Sequence, residues 1–298
     1  MLKVNGEGYM QGVIIKGIGG LYFVKVGDKV IECKARGKFR YTGLSPVIGD
    51  KVEIILESDV TKGVIEKIFA RDTEMIRPVV ANVTQAFVVF AFKKPDLNME
   101  LLNKFLVLCE HYRLNIVLCL NKLDLVSEVD EELIKELKSV GCDLVFLKAK
   151  EGQGLVELKT RIKDNITVFC GPSGVGKSTI LNSLLGREAM KTGDISKKSQ
   201  KGKHTTRHSE LIEYEEGFLL DTPGFSSLSL DFIEKEQLQY CFPEFEKHRC
   251  ECRFSNCMHN KEPNCRVKEA VEANEIYKDR YKFYIKTLEE IIARGNKK

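Results

Sequence analysis

Short stretches of alternating apolar and polar residues fill the first 70 positions of the chain, with glycines between them. Apolar residues recur at every second position in Val13/Ile15, Tyr22/Val24/Val26 and Val52/Ile54. A period of two is typical of half-buried strands, and several short strands without a helical repeat favour a small β-barrel. The pattern therefore predicts an N-terminal barrel domain over residues 1–70.

From residue 71 to 230 the pattern changes to apolar runs that alternate with stretches of helical period. The apolar or extended runs are 86–92, 115–120, 143–147 and 166–170, and the helical stretches are 99–112, 131–140 and 154–163. Buried strands with crossover helices produce this alternation, so we predict an α/β domain over 71–230. A cysteine cluster and a helical stretch over 267–293 follow in a third predicted domain, 231–298.

Composition adds only broad limits. Hydrophobic residues make up 43% and charged residues 30% of the 298 positions, as in ordinary globular proteins. No apolar run reaches the roughly 18 residues of a membrane span, and no signal-peptide pattern opens the chain. We expect a cytoplasmic monomer with no membrane partner.

A phosphate loop follows the apolar run 166–170. The pattern GxxxxGK[ST] is matched by Gly171, Pro172, Ser173, Gly174, Val175, Gly176, Lys177 and Ser178, and Thr179 opens a helical stretch. In this strand–loop–helix context, backbone N–H groups surround the β-phosphate. Lys177 reaches the β- and γ-phosphates, and the Ser178 hydroxyl ligates magnesium. The motif predicts a bound nucleotide but does not separate ATP from GTP.

The motif NKxD supplies that separation. It comprises Asn121, Lys122 and Asp124 at the end of the apolar run 115–120. The aspartate carboxylate can accept from the ring N–H and the exocyclic amine of guanine, and adenine would leave it unpaired. Together with the phosphate loop, this motif predicts guanine-nucleotide binding.

Two further motifs complete a predicted GTP site. Asp221 and Gly224 form DxxG, in which the aspartate holds magnesium through water and the glycine N–H meets the γ-phosphate. Between this motif and the phosphate loop lies a polar stretch where a switch threonine should close on magnesium. Thr206 is our choice, and Thr205 is the alternative.

The order of these motifs is permuted. NKxD precedes the phosphate loop, which precedes DxxG, whereas the usual order begins with the phosphate loop. Residues 146–150 resemble the [ST]AK loop that touches guanine, but Lys148 replaces its serine. Of the contacts that the [ST]AK loop makes with guanine, we therefore expect only the backbone contact, from Ala149. The permutation connects the switch region directly to the C-terminal domain, so switch motion should be transmitted there.

Five of the ten cysteines crowd into 241–265, which favours a metal site over a disulfide framework. Three thiols and an imidazole come from Cys252, Cys257, His259 and Cys265. Four such ligands suit one structural, tetrahedral zinc ion. Cys241 is spare, and Cys250 competes with Cys252 as the first ligand.

Basic residues are concentrated in two regions. Lys247–Lys298 has 13 Lys/Arg against 8 Asp/Glu, and Lys191–His208 has 6 against 1. This distribution predicts a phosphate-rich partner. The cationic run 34–41, which we place on a barrel hairpin, is either a solvated strand edge or an oligonucleotide-binding face with two interleaved aromatics.

As an ordered set, the barrel, NKLD, GPSGVGKST, KHTTRH, DTPGF and the cysteine cluster closely resemble the RsgA family of ribosome small-subunit-dependent GTPases. The resemblance implies an OB-fold barrel, a circularly permuted α/β GTPase domain and a C-terminal α-helical zinc-binding domain. It also implies a late factor in small-subunit maturation that binds ribosomal RNA and hydrolyses GTP to GDP and phosphate with subunit stimulation. The family match favours Cys252 as the first zinc ligand.

Phe225 occupies the position where many GTPases have a glutamine that orients the attacking water. We therefore expect slow isolated turnover and a positioning group from elsewhere. His204 could order the water or could instead contact ribosomal RNA. Lys177 and magnesium supply most of the charge stabilisation.

Two other functions fit the same sequence. One is an RNA-binding assembly factor whose GTP state gates docking while hydrolysis is incidental. The other is a permuted GTPase acting on the large subunit, which the barrel and the cysteine cluster disfavour.

Overall fold

The computed structural model of the chain describes residues 8–76, 78–186, 209–221 and 229–295. The chain divides into two compact units. The first is drawn from Met1–Gln85, Val156–Phe169 and Leu181–Phe225, and the second from Ala86–Leu155, Cys170–Ile180 and Ser226–Lys298. The domain boundaries at 70/71 and 230/231 stay a prediction.

The strands are β1 (Tyr9–Ile18), β2 (Leu21–Val26), β3 (Lys29–Ala35), β4 (Lys51–Leu56), β5 (Lys62–Ile68), β6 (Glu74–Met75), β7 (Val80–Ala81), β8 (Gln85–Ala91), β9 (Asn115–Asn121), β10 (Asp143–Phe146), β11 (Ile166–Cys170), β12 (Glu210–Tyr214) and β13 (Gly217–Asp221). The helices are α1 (Lys38–Thr42), α2 (Met99–His111), α3 (Glu131–Ser139), α4 (Leu155–Thr160), α5 (Lys177–Leu185), α6 (Glu246–Arg249), α7 (Arg266–Glu272) and α8 (Lys278–Gly295). Within the described ranges, no helix combines the length and apolar character needed to cross a bilayer.

The N-terminal residues form the predicted barrel, which is of OB type. The strands β1, β2, β3, β5 and β4 pair in that order, and β4 pairs with β1 to close the ring. Side chains at every second position fill its interior, including fully buried Ile14, Val24, Val52 and Ile54. In β1 the fully buried residue is Ile14, and its neighbours Val13 and Ile15 are only half-buried.

Strand β1 divides one of its edges between two partners. Its first half, Tyr9–Val13, pairs with β4, whereas Lys16 further along pairs with Glu210 of β12. The side chains of Lys16 and Glu210 also form a 2.7 Å ion pair. In turn β12 pairs antiparallel with β13, the strand that ends at Asp221, so β1 reaches the strand pair that carries the DxxG aspartate.

The hairpin predicted for the cationic run 34–41 is wrong. The run ends β3 and then forms the short helix α1. Phe39 on this helix lies in the barrel core at 8% exposure, whereas Tyr41 is 92% exposed. Phe39 is buried although it lies directly between the basic residues Lys38 and Arg40, so only Tyr41 of the two aromatics is available to a base.

In the second unit, β10, β9 and β8 are neighbours, with β9 and β10 parallel. Strand β8 is buried along its whole length, as its unbroken apolar run predicts. Helix α2 begins where the Asn98 side chain accepts from the Leu101 N–H. It packs an apolar face that includes Phe105, whose ring meets Phe90 edge-on at 5.8 Å.

The predicted single helix over 267–293 is two helices, α7 and α8. The first stops at Ala273, and Asn274 takes a positive φ of 58°. An asparagine in this left-handed conformation ends the helix in the way that glycine commonly does. On α8, Tyr284 is fully buried and meets the ring of Phe245 edge-on at 5.0 Å.

Candidate functional site

The phosphate loop has the predicted context, because it follows β11 and α5 begins at Lys177. The Lys177 ammonium folds back over the loop and donates to the carbonyl oxygens of Gly171 at 2.8 Å and Pro172 at 2.6 Å. Burial lowers the pKa of Lys177. Ser173 is exposed, whereas Ser178 and Thr179 at the start of the helix are half-buried.

Two loop positions admit only glycine. Gly171 has a φ of +134°, and a Cβ atom there would lie 2.0 Å from the carbonyl oxygen of Val89. Gly176 has a φ of +104°, and a Cβ atom there would lie 2.3 Å from Nδ2 of Asn121. Gly171 is approached by a backbone oxygen and Gly176 by a buried side-chain amide, and both have a positive φ that glycine adopts without strain.

Asn121 joins the phosphate loop to the loop after β10. It ends β9 and is 3% exposed. Its Nδ2 donates to the carbonyl oxygen of Val175 at 2.9 Å, and its Oδ1 accepts from the N–H of Ala149 at 3.2 Å. The structure thus brings three separate predicted segments together through one buried amide.

Lys122 makes a second link to the phosphate loop. Its backbone takes a left-handed φ of 61°. The ammonium donates to the carbonyl oxygen of Gly174 at 2.7 Å and to that of Lys94. Burial lowers the pKa of Lys122, and the positive charges of Lys150 and Lys94 lower it further, while Asp124 opposes the shift. The contact with the carbonyl of Lys94 was missed from the sequence, because a backbone acceptor can belong to any residue type and leaves no signal there.

Asp124 lies in the 3-10 helix Leu123–Leu125 and is exposed, so its carboxylate is accessible to a ligand. The side chain of Lys148, the departure from the [ST]AK pattern, lies 3.9 Å from the carboxylate of Glu151. Ala149 is buried, and its N–H already donates to Asn121. If Ala149 makes the predicted backbone contact with guanine, its N–H would be shared between Asn121 and the base.

Some predicted site residues lie outside the described residues. These are His204, Thr205, Thr206, Gly224 and Phe225. The backbone of Asp221 is described as the last residue of β13, but its side chain is not among the described parts of the chain. The structure therefore describes the guanine and phosphate motifs and leaves the switch assignments as predictions.

A cavity of about 450 Å³ lies beside the NKxD motif. It is lined by Leu123, Val129, Glu131, Ile134, Lys135 and Phe146, none of which belongs to the phosphate loop. Its walls are mainly apolar and carry one carboxylate and one ammonium. The cavity is therefore separate from the loop that would hold the phosphates.

The predicted cysteine cluster converges, with Cys252 rather than Cys250 as its first member. One ligand atom from each of Cys252, Cys257, His259 and Cys265 lies within 4.8 Å of all the others. Cys250 is exposed and Cys241 is buried, and neither belongs to this group. The four residues could hold a metal ion.

Their spacing can be compared with that of a tetrahedral site. Bond lengths of about 2.3 Å to sulfur and 2.0 Å to nitrogen place ligand atoms roughly 3.8 Å apart for two sulfurs and 3.5 Å apart for sulfur and nitrogen. The structure has 3.9 Å between Sγ of Cys252 and Cys265. Nδ1 of His259 lies 3.6 Å from Sγ of Cys252 and 3.3 Å from Sγ of Cys265. The donor set and these three distances fit zinc.

A buried ion pair joins the C-terminal helix α8 to the rest of the unit, and sequence reasoning missed it. Arg280 is 2% exposed and donates to Oε1 of Glu244 at 2.7 Å and to Oδ1 of Asn103, on α2, at 2.9 Å. Its guanidinium also lies 4.6 Å from the ring centroid of Phe242. Arg280 thus holds α8, the second helix after the cysteine cluster, against α2.

Two family models match adjoining parts of the chain, from residue 11 to residue 231. Residues 11–65 match the model of the RsgA N-terminal domain, and residues 66–231 match that of the RsgA GTPase. A Clostridium botulinum protein named small ribosomal subunit biogenesis GTPase RsgA is 58% identical over 292 residues, covering 97% of this chain and all of the relative. A Clostridium perfringens protein of the same name is 58% identical over 289 residues, covering 96% of this chain and all of the relative.

Two crystal structures are similar along nearly the whole chain. YloQ, described as a circularly permuted GTPase, has a TM-score of 0.83 and 35% identity, covering 98% of each chain. YjeQ from Thermotoga maritima has a TM-score of 0.82 and 35% identity, covering 95% of this chain and 99% of its own. The resemblance predicted from the ordered motifs is confirmed: the chain belongs to the RsgA family of circularly permuted GTPases.

Proposed function

We propose that this GTPase acts in late maturation of the small ribosomal subunit, binding the subunit and its ribosomal RNA and hydrolysing GTP under subunit stimulation. The observation that carries the proposal is the likeness to relatives named for small-subunit biogenesis, which extends over both flanking regions as well as the GTPase motifs. Such a factor works in the cytoplasm, and we propose that it does so as a monomer.

The described loop supports the nucleotide part of the proposal. The residues of the loop, 171–179, would surround the phosphates with backbone N–H groups, and α5 would present its positive end. Phosphate oxygens would replace the two carbonyls that now accept from Lys177. The buried ammonium would then stabilise the charge that develops on the transferred phosphoryl group.

Guanine selection would come from the NKxD motif. An amide nitrogen carries two protons, and Val175 accepts one from Asn121, which leaves the other for the purine N7. Asp124 would accept from the ring N–H and the exocyclic amine. Lys122 would cover the base while it stays bonded to Gly174, and Ala149 would share its N–H with the guanine carbonyl.

Magnesium bound with GTP would neutralise charge on the β- and γ-phosphates, and we propose Ser178 and Thr206 as its side-chain ligands. Asp221 would hold it through water, and the Gly224 N–H would meet the γ-phosphate. His204 would orient the attacking water. We also propose that Cys252, Cys257, His259 and Cys265 hold one structural zinc ion, since their spacing fits that metal.

Turnover with purified ribosomal subunits tests the proposed function. We expect slow GTP hydrolysis by the chain alone and at least tenfold stimulation by small subunits but not by large ones. Lys177→Ala should remove the stimulated rate. Stimulation by large subunits alone, or by neither, would contradict the proposal. A turnover-deficient Lys177→Ala variant that still drives maturation would show that hydrolysis is incidental.

The role of His204 needs a separate experiment. His204→Ala should lose roughly 100-fold in stimulated turnover, the usual effect of removing one acid–base or positioning group, and still bind GTP. His208→Ala, in the same segment, is the matched control and should retain stimulation. If His204→Ala instead kept full stimulated turnover, a ribosomal group must position the water.

A further inference from the structure

The imidazole of His259 has a polar partner on the side away from the thiols. Its Nδ1 faces Cys252 and Cys265, while its Nε2 lies 3.0 Å from Oε1 of Gln239. The ring is 1% exposed, so solvent does not compete for either nitrogen. The two ring nitrogens therefore have different neighbours: sulfur for one and an amide oxygen for the other.

The orientation of the Gln239 amide is set by a second hydrogen bond. Its Nε2 donates to the carbonyl oxygen of Glu236 at 3.3 Å, which leaves Oε1 directed at His259. An amide oxygen only accepts, so the Nε2 of His259 must carry the proton in this arrangement. Nδ1 is then unprotonated and presents its lone pair to the thiols.

The backbone that carries His259 is fixed independently of the ring. The Glu262 carboxylate accepts from the N–H groups of Met258 and Asn260, each at 2.9 Å. Tyr284 donates its hydroxyl to the carbonyl oxygen of Met258 at 2.6 Å, and Tyr281 donates to that of His259 at 2.7 Å. These four bonds fix the loop backbone, but none of them fixes the plane of the imidazole ring. Among the described side chains outside the four candidate metal ligands, Gln239 is the one that bonds to this ring.

Gln239 itself sits on a well-packed element. It belongs to the 3-10 helix Leu238–Cys241, in which Leu238 is fully buried and Cys241 is 2% exposed. This helix lies between the DxxG motif and the cysteine cluster along the chain. Leu238 directly before Gln239 and Cys241 two residues after it anchor this helix, which limits the movement of the Gln239 amide.

We infer that Gln239 is a positioning residue of the metal site, which holds His259 as the Nε2–H tautomer and so directs Nδ1 to the metal ion. Metal-bound histidines generally donate their other N–H to an oxygen acceptor, and that bond orients the ring and raises its basicity. The inference rests on the proposed zinc site and is independent of the proposed ribosomal role.

The test compares three variants of the full-length, zinc-loaded protein. Gln239→Leu removes the acceptor at similar volume, and Gln239→Glu keeps an acceptor at the same place. Gln237→Leu makes the same change on an exposed side chain two residues away and serves as the matched control. The readouts are the rate of zinc transfer to a chromophoric chelator and the visible spectrum of the cobalt(II)-substituted protein.

We expect Gln239→Leu to release zinc about 10- to 100-fold faster than the wild type, the range found when an outer partner of a metal ligand is removed. Its cobalt spectrum should also change, because the imidazole reorients. Gln239→Glu should hold zinc at least as tightly as the wild type, and Gln237→Leu should match it.

Several outcomes would overturn the inference. They are a wild-type release rate in Gln239→Leu, equal acceleration in Gln237→Leu and Gln239→Leu, or loss of zinc from Gln239→Glu as fast as from Gln239→Leu. The zinc proposal fails separately, if the purified wild-type protein contains no zinc and takes up neither zinc nor cobalt. Far-UV circular dichroism at saturating zinc establishes that each variant is folded.

Discussion

Asn121 donates its side-chain amide to the backbone carbonyl of Val175 at 2.9 Å, across 54 residues of sequence. The same side chain accepts from Ala149, so one residue holds two loops of the nucleotide site. In a GTPase with the usual motif order these loops come in the opposite sequence. The permutation has therefore changed the connections between the loops without removing the amide that joins them.

Asn121→Ala should lower the affinity for GDP and GTP about tenfold or more. Each buried hydrogen bond contributes roughly 0.5–1.5 kcal/mol, and the alanine removes both the bond to Val175 and the bond to Ala149. Titration with a fluorescent guanine nucleotide measures the effect. Asn115→Ala, at the exposed start of the same strand, is the control. Equal affinities in the two variants would contradict the bridging role.

Gly176→Ala should weaken nucleotide binding at least tenfold. Its Cβ would lie 2.3 Å from Nδ2 of Asn121, and the backbone would be held at a positive φ. Gly174→Ala, in the same loop, separates these causes, because Gly174 also has a positive φ, of 81°, but its Cβ position is 3.7 Å from the nearest atom, Cδ of Pro95. Calorimetric titration of both variants with GDP is the measurement. Comparable losses of affinity in the two would assign the effect to backbone strain alone.

Asp124→Asn should shift the nucleotide preference from guanine to xanthine. The carboxylate pairs with two donors of guanine, whereas an asparagine amide can donate to the additional carbonyl of xanthine. A site with an unpaired polar group discriminates strongly, by up to roughly 10⁴- to 10⁵-fold. Competition between GDP and XDP for each protein measures the preference. Retained guanine preference in Asp124→Asn would show that another residue selects the base.

Glu110 should make the stability of the protein depend on pH. Burial raises its pKa to about 7, and Glu244 raises it too while Arg280 opposes the shift. The folded state therefore binds this proton more tightly than the unfolded state, whose reference pKa is 4.5. The stabilising contribution is full below pH 4.5 and is lost as the pH rises through about 7.

Glu110→Gln has no carboxyl group to ionise, so it does not lose this stability as the pH rises. The variant should therefore be more stable than the wild type at pH 8. We expect an advantage of about 1 kcal/mol, reduced from the full value because water reaches this half-buried carboxylate. The advantage should shrink towards zero near pH 5. Urea unfolding at both pH values measures it, and an advantage that does not change with pH would rule out titration of Glu110 as its source.

Arg280→Ala should destabilise the protein by about 3–5 kcal/mol, because it leaves the buried carboxylate of Glu244 without its cation. Arg280→Met combined with Glu244→Met should be less destabilising than either single change, since no charge is then left alone. Denaturant unfolding of Arg280→Met, Glu244→Met and the double variant forms the cycle. Additive losses would show that the two side chains are not coupled.

Local patterns were sufficient to predict much of the fold. The period of two in residues 9–68 predicted the barrel strands, and the unbroken apolar run 86–92 predicted buried β8. The errors arose at two places where the structure departs from the predicted repeat of apolar positions. The run 34–41, predicted as a hairpin, ends β3 and forms a short helix in which Phe39 is buried, and Asn274 ended α7 within an otherwise continuous helical pattern.

In the candidate site, too, features set by short sequence motifs were predictable, whereas contacts between residues far apart in the sequence were not. Fixed spacings located the phosphate loop, NKxD and the metal cluster, in which the family resemblance chose Cys252 over Cys250. Partners that come from distant positions were not predictable: Arg280 is separated from Asn103 by 177 residues. On α8 it lies among exposed basic residues, and its sequence neighbours gave no indication that it would be buried. Gln239, 20 residues before His259, was missed for the same reason.

The divided edge of β1 determines how this protein can be cut into fragments. A fragment that stops at residue 70 keeps all five strands of the ring but removes β12, the partner of Lys16. The second half of that edge would then expose unpaired backbone groups, which recruit other chains and promote aggregation. A fragment intended for binding studies in isolation should therefore supply a substitute for β12, or blunt the bare edge with a proline or an added charge.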